Sequence, residues 1–344
     1  MNNSETQVLV VGPSWVGDMV MAQSLFKVLK AGQPMLKVSV LAPEWSRPLL
    51  DRMPEVEASI NFPLRHGELN LSRRRLIARQ VRSHGFAQAI VLPNSFKSAL
   101  LPLLAGIPLR TGWRGEFRRL LLNDCRRLDP QRYPLMVQRF VALGLPPESP
   151  LPTEIPAPAL SRHADSINST LGQLGARRSE RLLAICPGAE YGEAKQWPAF
   201  HFSELCKLAT ATGWRVLIVG SPNDAGIAGQ IMDGLPASAR EHCDNLAGRT
   251  SLRQAIDILS IASAVVSNDS GLMHIAAALG GPVVAIYGST SADFTPPLSK
   301  RVKSVFKVMD CRPCFQRRCP LGHLRCLKDL EAEEVFTALC DLVD

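Results

Sequence analysis

The sequence predicts an α/β protein built of two doubly wound parallel-sheet domains facing across a cleft. Apolar strand-like runs alternate with segments of helical period in both halves of the chain. A stretch crowded with prolines and lacking periodicity, "LPPESPLPTEIPAPALS" at residues 145–161, separates the halves like an extended linker. The length, 344 residues, also exceeds what one hydrophobic core ordinarily holds.

In the first half, strands are expected at "QVLVVG", "KVSVLAP" and "QAIVLPN", each a nearly continuous apolar run of the kind buried on both faces of a sheet. A helix is expected over 18–30, where Met21, Leu25, Val28 and Leu29 share one face. In the second half, strands "RLLAICPG", "RVLIVGS", "AVVSND" and "PVVAIYG" bracket helices at about 198–212, 251–262 and 271–279. "EAEEVFTALCDLV" closes the chain as an amphipathic helix. These elements set domain limits of 1–155 and 156–330, with the last helix at 331–344.

Composition excludes several classes. The longest apolar run, "ALLPLLAGIPL", is too short and too broken by proline and glycine to cross a bilayer. The N-terminus has no positively charged leader followed by a small-residue cleavage site, so a cytoplasmic protein is expected. Nine cysteines then read as reduced thiols or metal ligands rather than a disulfide framework. Charge is uneven. Residues 1–150 hold 20 Lys+Arg against 11 Asp+Glu, a net of +9, and the remainder 19 against 20, a net of −1. A basic first half points to a polyanionic partner: nucleic acid, an anionic membrane surface or a polyanionic substrate. In "RRRLIARQVR", residues 73–82, five arginines flank an expected apolar stripe of Leu76, Ile77 and Val81.

Open α/β sheets bind ligands at the carboxyl ends of their strands, and three strand-to-helix loops are expected there. In "VGPSWVGDMVMAQ" a strand turns into a helix with Asp18 near its start, and the G-x-G-x-x-G of dinucleotide binding is absent. A carboxylate in a first helical turn is stabilised as the anion and can accept a proton from an approaching hydroxyl; it can equally serve only the helix dipole. In "CPGAEYGEAKQWP" Lys195 precedes a proline suited to a first helical turn, and a cation there neutralises a phosphate leaving group unless it is ordinary solvated surface. In "SNDSGLMHIAAALGG" Asp269 and Ser270 stand at a helix N-cap, Gly271 lets the backbone approach a ligand, and the helix end favours an anion such as pyrophosphate. His274 lies one turn further in. A well-capped helix with a core histidine is the plain alternative.

Taken together, "VGPSWVGDMVMAQSL", "VLPNSFKSALLP", "RTGWRGEFR", "CPGAEYGEAKQWP" and "NDSGLMHIAAAL" resemble the ADP-heptose:lipopolysaccharide heptosyltransferases of glycosyltransferase family 9, in wording those of type II. The resemblance runs from about Val8 through Pro297. It implies two Rossmann-like domains in the GT-B arrangement, acceptor bound mainly by the first and ADP-heptose mainly by the second, with the C-terminal helix packing back across the domains. It also implies inverting transfer of heptose to the first heptose of the lipopolysaccharide inner core, with no metal or other cofactor required for catalysis. By position it makes Asp18 the base and Lys195 the catalytic lysine beside the donor phosphates. Asp269, Ser270, Gly271, Leu272 and His274 match the segment that closes around pyrophosphate and heptose, and Thr250 in "LAGRTSL" matches a nucleoside contact. Asn94, Lys97, Arg110 and Arg114, with the arginines of 73–82, are expected to meet heptosylated Kdo-lipid A or the anionic inner face of the cytoplasmic membrane, making the enzyme peripheral there.

Heptosyltransferases of types I and III stay open as alternatives, as does a nucleotide-sugar epimerase of the same architecture. A nucleic-acid-binding protein leaves the pyrophosphate loops unexplained and has few aromatics for base stacking, and a dehydrogenase lacks its glycine fingerprint. The segment "CRPCFQRRCPLGHLRC" carries Cys311, Cys314, Cys319, His323 and Cys326, enough thiolate and imidazole for a tetrahedral zinc site. A structural zinc on Cys311, Cys314, Cys319 and Cys326 is one expectation; ordinary reduced cysteines on a basic loop is the other.

Overall fold

The computed structural model describes residues 6–63, 70–175, 179 and 181–343. Residues 1–5, part of the stretch read for a leader and of the first domain, and the final Asp344 lie outside the described residues. Contacts divide the chain into two units, Met1–Pro158 and Ala159–Asp344.

The first unit runs β1 (Gln7–Val11), α1 (Val16–Gly32), β2 (Lys37–Ala42), α2 (Arg47–Leu50), β3 (Val56–Asn61), α3 (Leu71–Arg82), β4 (Gln88–Val91), α4 (Phe96–Leu104), β5 (Leu109–Trp113), β6 (Asp124–Arg126) and α5 (Met136–Gly144). Its sheet has the order β3-β2-β1-β4-β5-β6, all parallel. The second unit runs α6 (Ala164–Leu174), β7 (Leu182–Cys186), α7 (Ala199–Ala211), β8 (Arg215–Ile218), α8 (Ala225–Asp233), α9 (Ala237–Arg240), β9 (Cys243–Asn245), α10 (Leu252–Ile261), β10 (Ala264–Asn268), α11 (Gly271–Ala278), β11 (Val283–Ile286), β12 (Val302–Val305), α12 (Arg325–Lys328) and α13 (Ala332–Val343). Its order, β12-β11-β10-β7-β8-β9, is the same doubly wound topology, also parallel throughout. The expected doubly wound α/β class is thus present in each unit.

The central strands are almost wholly apolar because helices cover both faces of each sheet. In the first unit Leu9, Val11, Leu41, Ile77, Val81, Val91 and Leu101 share one core cluster. In the second, Leu183, Ile185, Trp197, Phe202, Ile218, Val266 and Ile286 do so. Each fully buried side chain of this size contributes about 1.5–3 kcal/mol of transfer free energy.

One expectation needs correction. The apolar stripe of α3 is formed by Ile77, Ala78 and Val81 with the stem of Arg74, whereas Leu76 is 66% exposed. Arg74 fits inside because its Nη1 donates to the Lys97 carbonyl at 2.9 Å and its guanidinium lies over the Phe62 ring. The last helix lays Val335, Ala338 and Leu339 into the core of the second unit, against α7 and the β10–β12 side of its sheet.

The proline-rich stretch forms neither helix nor strand. It runs along α1, where Ser24 Oγ donates to the Pro156 carbonyl and Lys27 Nζ to that of Ala157, each at 2.7 Å. No helix among the described residues is long and apolar enough to cross a membrane.

Candidate functional site

In a doubly wound sheet the crevice opens where strand order reverses, between β7 and β10 in the second unit and between β1 and β4 in the first. In the second unit, Lys195 follows β7 and Asp269 follows β10. Lys195 Nζ lies 2.6 Å from Asp269 Oδ2, the side chains being 13% and 4% exposed. Thr290 Oγ1 donates to the same oxygen at 2.5 Å. Asn268 fastens the two loops together: its Nδ2 donates to the Pro187 carbonyl at 2.7 Å and its Oδ1 accepts from the Trp197 amide at 3.2 Å.

Ser270 is the N-cap of α11, yet its side chain makes no capping hydrogen bond; its hydroxyl lies 3.3 Å from Ser267 Oγ instead. The expected side-chain cap is therefore missing, and the first-turn amides beside Gly271 and Leu272 offer an anion seat next to the Lys195 ammonium. His274 is buried one turn in. Burial lowers its pKa to about 4, with Asp269 opposing and Lys195 reinforcing the shift, so the imidazole is neutral near pH 7. Thr250, after β9, has a buried hydroxyl with no hydrogen-bond partner among the described residues, and a ligand polar group would satisfy it.

The cysteine-rich segment is stitched to the Lys195 loop. Ala194 N donates to the Arg317 carbonyl at 3.1 Å, Tyr191 Oη to that of Phe315 at 2.7 Å, and Phe315 N to that of Ser289 at 2.8 Å. Gly192 has a φ of +151°, and a Cβ there would stand 2.5 Å from the Arg317 oxygen, so only glycine permits this approach. Two cations consequently meet one ring: Lys195 Nζ is 4.9 Å and Arg317 Cζ 5.3 Å from the centroid of Tyr191. Arg312 Nε and Nη2 donate to the carbonyls of Gly288 and Thr290, which holds the loop carrying Thr290 in place.

The four cysteines of the zinc expectation share one neighbourhood, since burial and the nearby Cys319, Cys314 and Cys311 raise the pKa of Cys326. Among the described residues no group of three or more His, Cys, Asp or Glu could hold a metal ion. Cys326 sits in the apolar core on α12, and the Cys319 sulfur is held by backbone amides of Leu321 to Leu324, which lower its pKa. None of the nine cysteines is in a disulfide.

In the first unit, Gly12 ends β1 and its amide donates to the Leu41 carbonyl at 2.9 Å; Trp15 in extended backbone opens α1, and Asp18 is half-buried in that first turn. Across the reversal, Asn94 is exposed just before α4 and Lys97 lies in its first turn. Arg114 is exposed after β5 at the same carboxyl edge. Arg110 is not: it sits near the amino end of β5, its Nε donating to the Leu121 carbonyl at 2.8 Å and its Nη1 to that of Ile107 at 2.6 Å. It clamps loops at the opposite end of the sheet, which removes it from the acceptor candidates.

Arg118 was not singled out from sequence. It is wholly buried behind Asn94, donating from Nη1 to Asn94 Oδ1 at 3.1 Å, and burial lowers its pKa to about 10. Of the 73–82 arginines, Arg82 bonds the Leu104 and Ala105 carbonyls, while Arg73, Arg75 and Arg79 are exposed.

Residues 73–325 match the model of Glycosyltransferase family 9 (heptosyltransferase). The chain is 43% identical over 338 residues to Lipopolysaccharide heptosyltransferase 2 of Escherichia coli K12, covering 97% of each. It is 47% identical over 304 residues to Lipooligosaccharide heptosyltransferase 2 of Haemophilus ducreyi, covering 86% of this chain and 87% of that one. The solved structure of E. coli ADP-heptose lps heptosyltransferase II superposes with a TM-score of 0.89 at 41% identity, covering 98% of both chains.

Proposed function

The chain belongs to glycosyltransferase family 9, the heptosyltransferases, and from that premise we propose a mechanism in which each unit contributes one half of the chemistry. The enzyme transfers heptose from ADP-heptose to a heptose of the lipopolysaccharide inner core. Two relatives of type 2, each matched over most of its length, favour this activity over those of types I and III or an epimerase.

The second unit takes the donor. Its diphosphate meets the Lys195 ammonium and the first-turn amides of α11, with Arg317 as a further cation on the Tyr191 ring. Asp269 takes one of the three N–H donors of Lys195 and orients the other two. Neutral His274 offers a hydrogen bond without adding charge, and Thr250 Oγ1 awaits the nucleoside.

The first unit takes the acceptor near Asn94, Lys97 and Arg114 and supplies the base. In one in-line step the acceptor oxygen bonds to the anomeric carbon, the bond from that carbon to the phosphate oxygen breaks, and ADP leaves with the electron pair. Asp18 takes the hydroxyl proton, and the sugar carbon inverts. A weakly basic carboxylate suffices because the proton leaves when the carbon is already cation-like. Lys195 neutralises the developing phosphate charge, so the chemistry needs no metal. The acceptor is a lipid-anchored glycolipid, which places the enzyme at the inner face of the cytoplasmic membrane.

The near-full-length match to type 2 heptosyltransferases carries this proposal. Its test is incubation with ADP-heptose, with and without heptosylated Kdo-lipid A. Acceptor-dependent release of ADP with one added heptose is expected; an epimerised nucleotide sugar formed without acceptor would overturn it.

A further inference from the structure

The loop between β5 and β6 turns charge inward and apolar surface outward. Arg118 is fully buried, whereas Phe117 and Leu120 on either side of it are 88% and 84% exposed. Burying the guanidinium and exposing the ring reverses the ordinary preference of both side chains.

Several contacts hold this inversion. Arg118 donates from Nη1 to Asn94 Oδ1 and from Nη2 to the Val91 carbonyl, anchoring the loop from within. Gly112 makes the room, since a Cβ there would stand 2.9 Å from Arg118 Nη2. Arg118 N donates to the Gly115 carbonyl, and Leu121 N and Leu122 N both donate to that of Arg118, each at 2.9 Å. Glu116 Oε2 accepts from the Phe96 amide at 2.7 Å. The turn needs φ of +31° at Glu116 and +56° at Phe117, a left-handed conformation that costs an aromatic residue about 1–2 kcal/mol. A loop serving only as a connection has no reason to hold that conformation with Phe117 in solvent.

The flanking charges indicate what covers the apolar pair. Arg114 and Arg119 are exposed beside it, and the first half of the chain is strongly basic. Apolar side chains framed by exposed guanidiniums match the boundary of an anionic bilayer, where the former enter the acyl region and the latter stay among phosphates. The same buried guanidinium holds Asn94, so the loop is tied to the acceptor side of the crevice.

We propose that this loop anchors the enzyme to its membrane, with Phe117 and Leu120 inserted into the interface and Arg114 and Arg119 on anionic headgroups. Such anchoring rests on the lipid-borne acceptor assigned above. Co-sedimentation of the full-length protein with phosphatidylcholine vesicles, with and without phosphatidylglycerol, tests it, comparing the unaltered protein with Phe117→Ser/Leu120→Ser and with Arg119→Gln. Both apolar positions are exposed, so the double variant retains its fold and its turnover on a deacylated, water-soluble acceptor.

The unaltered protein is expected to bind the anionic vesicles in a salt-sensitive manner. The double variant should lose about tenfold or more in vesicle affinity, and Arg119→Gln should flatten the salt dependence. Unchanged vesicle binding by the double variant overturns the anchor and leaves peripheral association standing. No binding by the unaltered protein overturns both. Self-association lost in the double variant, with vesicle binding retained, assigns the pair to a protein contact and overturns the anchor.

Discussion

Lys195→Met removes the ammonium that lies 2.6 Å from Asp269 Oδ2 and leaves that carboxylate, 4% exposed, with the Thr290 hydroxyl as its side-chain partner. Removing one member of a pair this enclosed costs about 3 kcal/mol, mostly because the remaining charge is unmatched. Loss of the cation that receives the leaving diphosphate should separately lower kcat by about 10²–10³-fold. The double variant Lys195→Met/Asp269→Asn distinguishes the two effects, since it replaces the ion pair by neutral side chains of similar shape. Urea denaturation should return to within about 1 kcal/mol of the unaltered protein, while turnover of ADP-heptose stays at the level of the single variant. If turnover recovers along with stability, Lys195 serves the fold and its assignment to the leaving group is wrong.

His274 gives a pH signature. Its imidazole is neutral in the fold down to about pH 4 but takes a proton near pH 6.5 when unfolded, so the unfolded state binds the extra proton between these values. Stability should therefore fall as pH drops through that window, by about 3 kcal/mol in total, with the slope reduced in His274→Gln; urea midpoints across the window measure it. Gly192→Ala sets a Cβ 2.5 Å from the Arg317 oxygen at an unfavourable φ, and should cost about 2 kcal/mol while raising KM for ADP-heptose; an unchanged KM would separate the cysteine-rich segment from the donor loop. Treatment with EDTA should leave turnover intact, and recovery that depended on added Mg²⁺ would move charge neutralisation from Lys195 to a metal.

The elements legible in sequence were those whose physics is local. β1, β2, β7 and β10 are mostly apolar runs because they lie inside sheets covered on both faces. β3 at the sheet edge reads "VEASIN", with Glu57 and Ala58 exposed, and β6 and β9 are three residues each, too short for any period to show. α8, "AGIAGQIMD", carries two glycines that weaken its helical signal, and packing against α7 settles it.

The candidate site divides the same way. Lys195 and Asp269 stand out from their loops, but their ion pair joins positions 74 residues apart and depends on strand order. Thr290 and Arg317 reach the donor side from loops after β11 and β12, with no local pattern to mark them. Arg110 shows the converse: a cation in a basic half looks available for a polyanion until the register of β5 puts it at the amino edge. Cysteine spacing likewise says which thiols share a segment, but not that Cys326 turns into the core.

Single-turnover transfer by Asp18→Asn, with ADP affinity measured on the same preparation, bears most directly on the mechanism. If the Asp18 carboxylate takes the acceptor proton, transfer falls by about 10²–10⁴-fold while ADP binds within about twofold of the unaltered enzyme. Transfer at the unaltered rate by a variant that still binds ADP would contradict it.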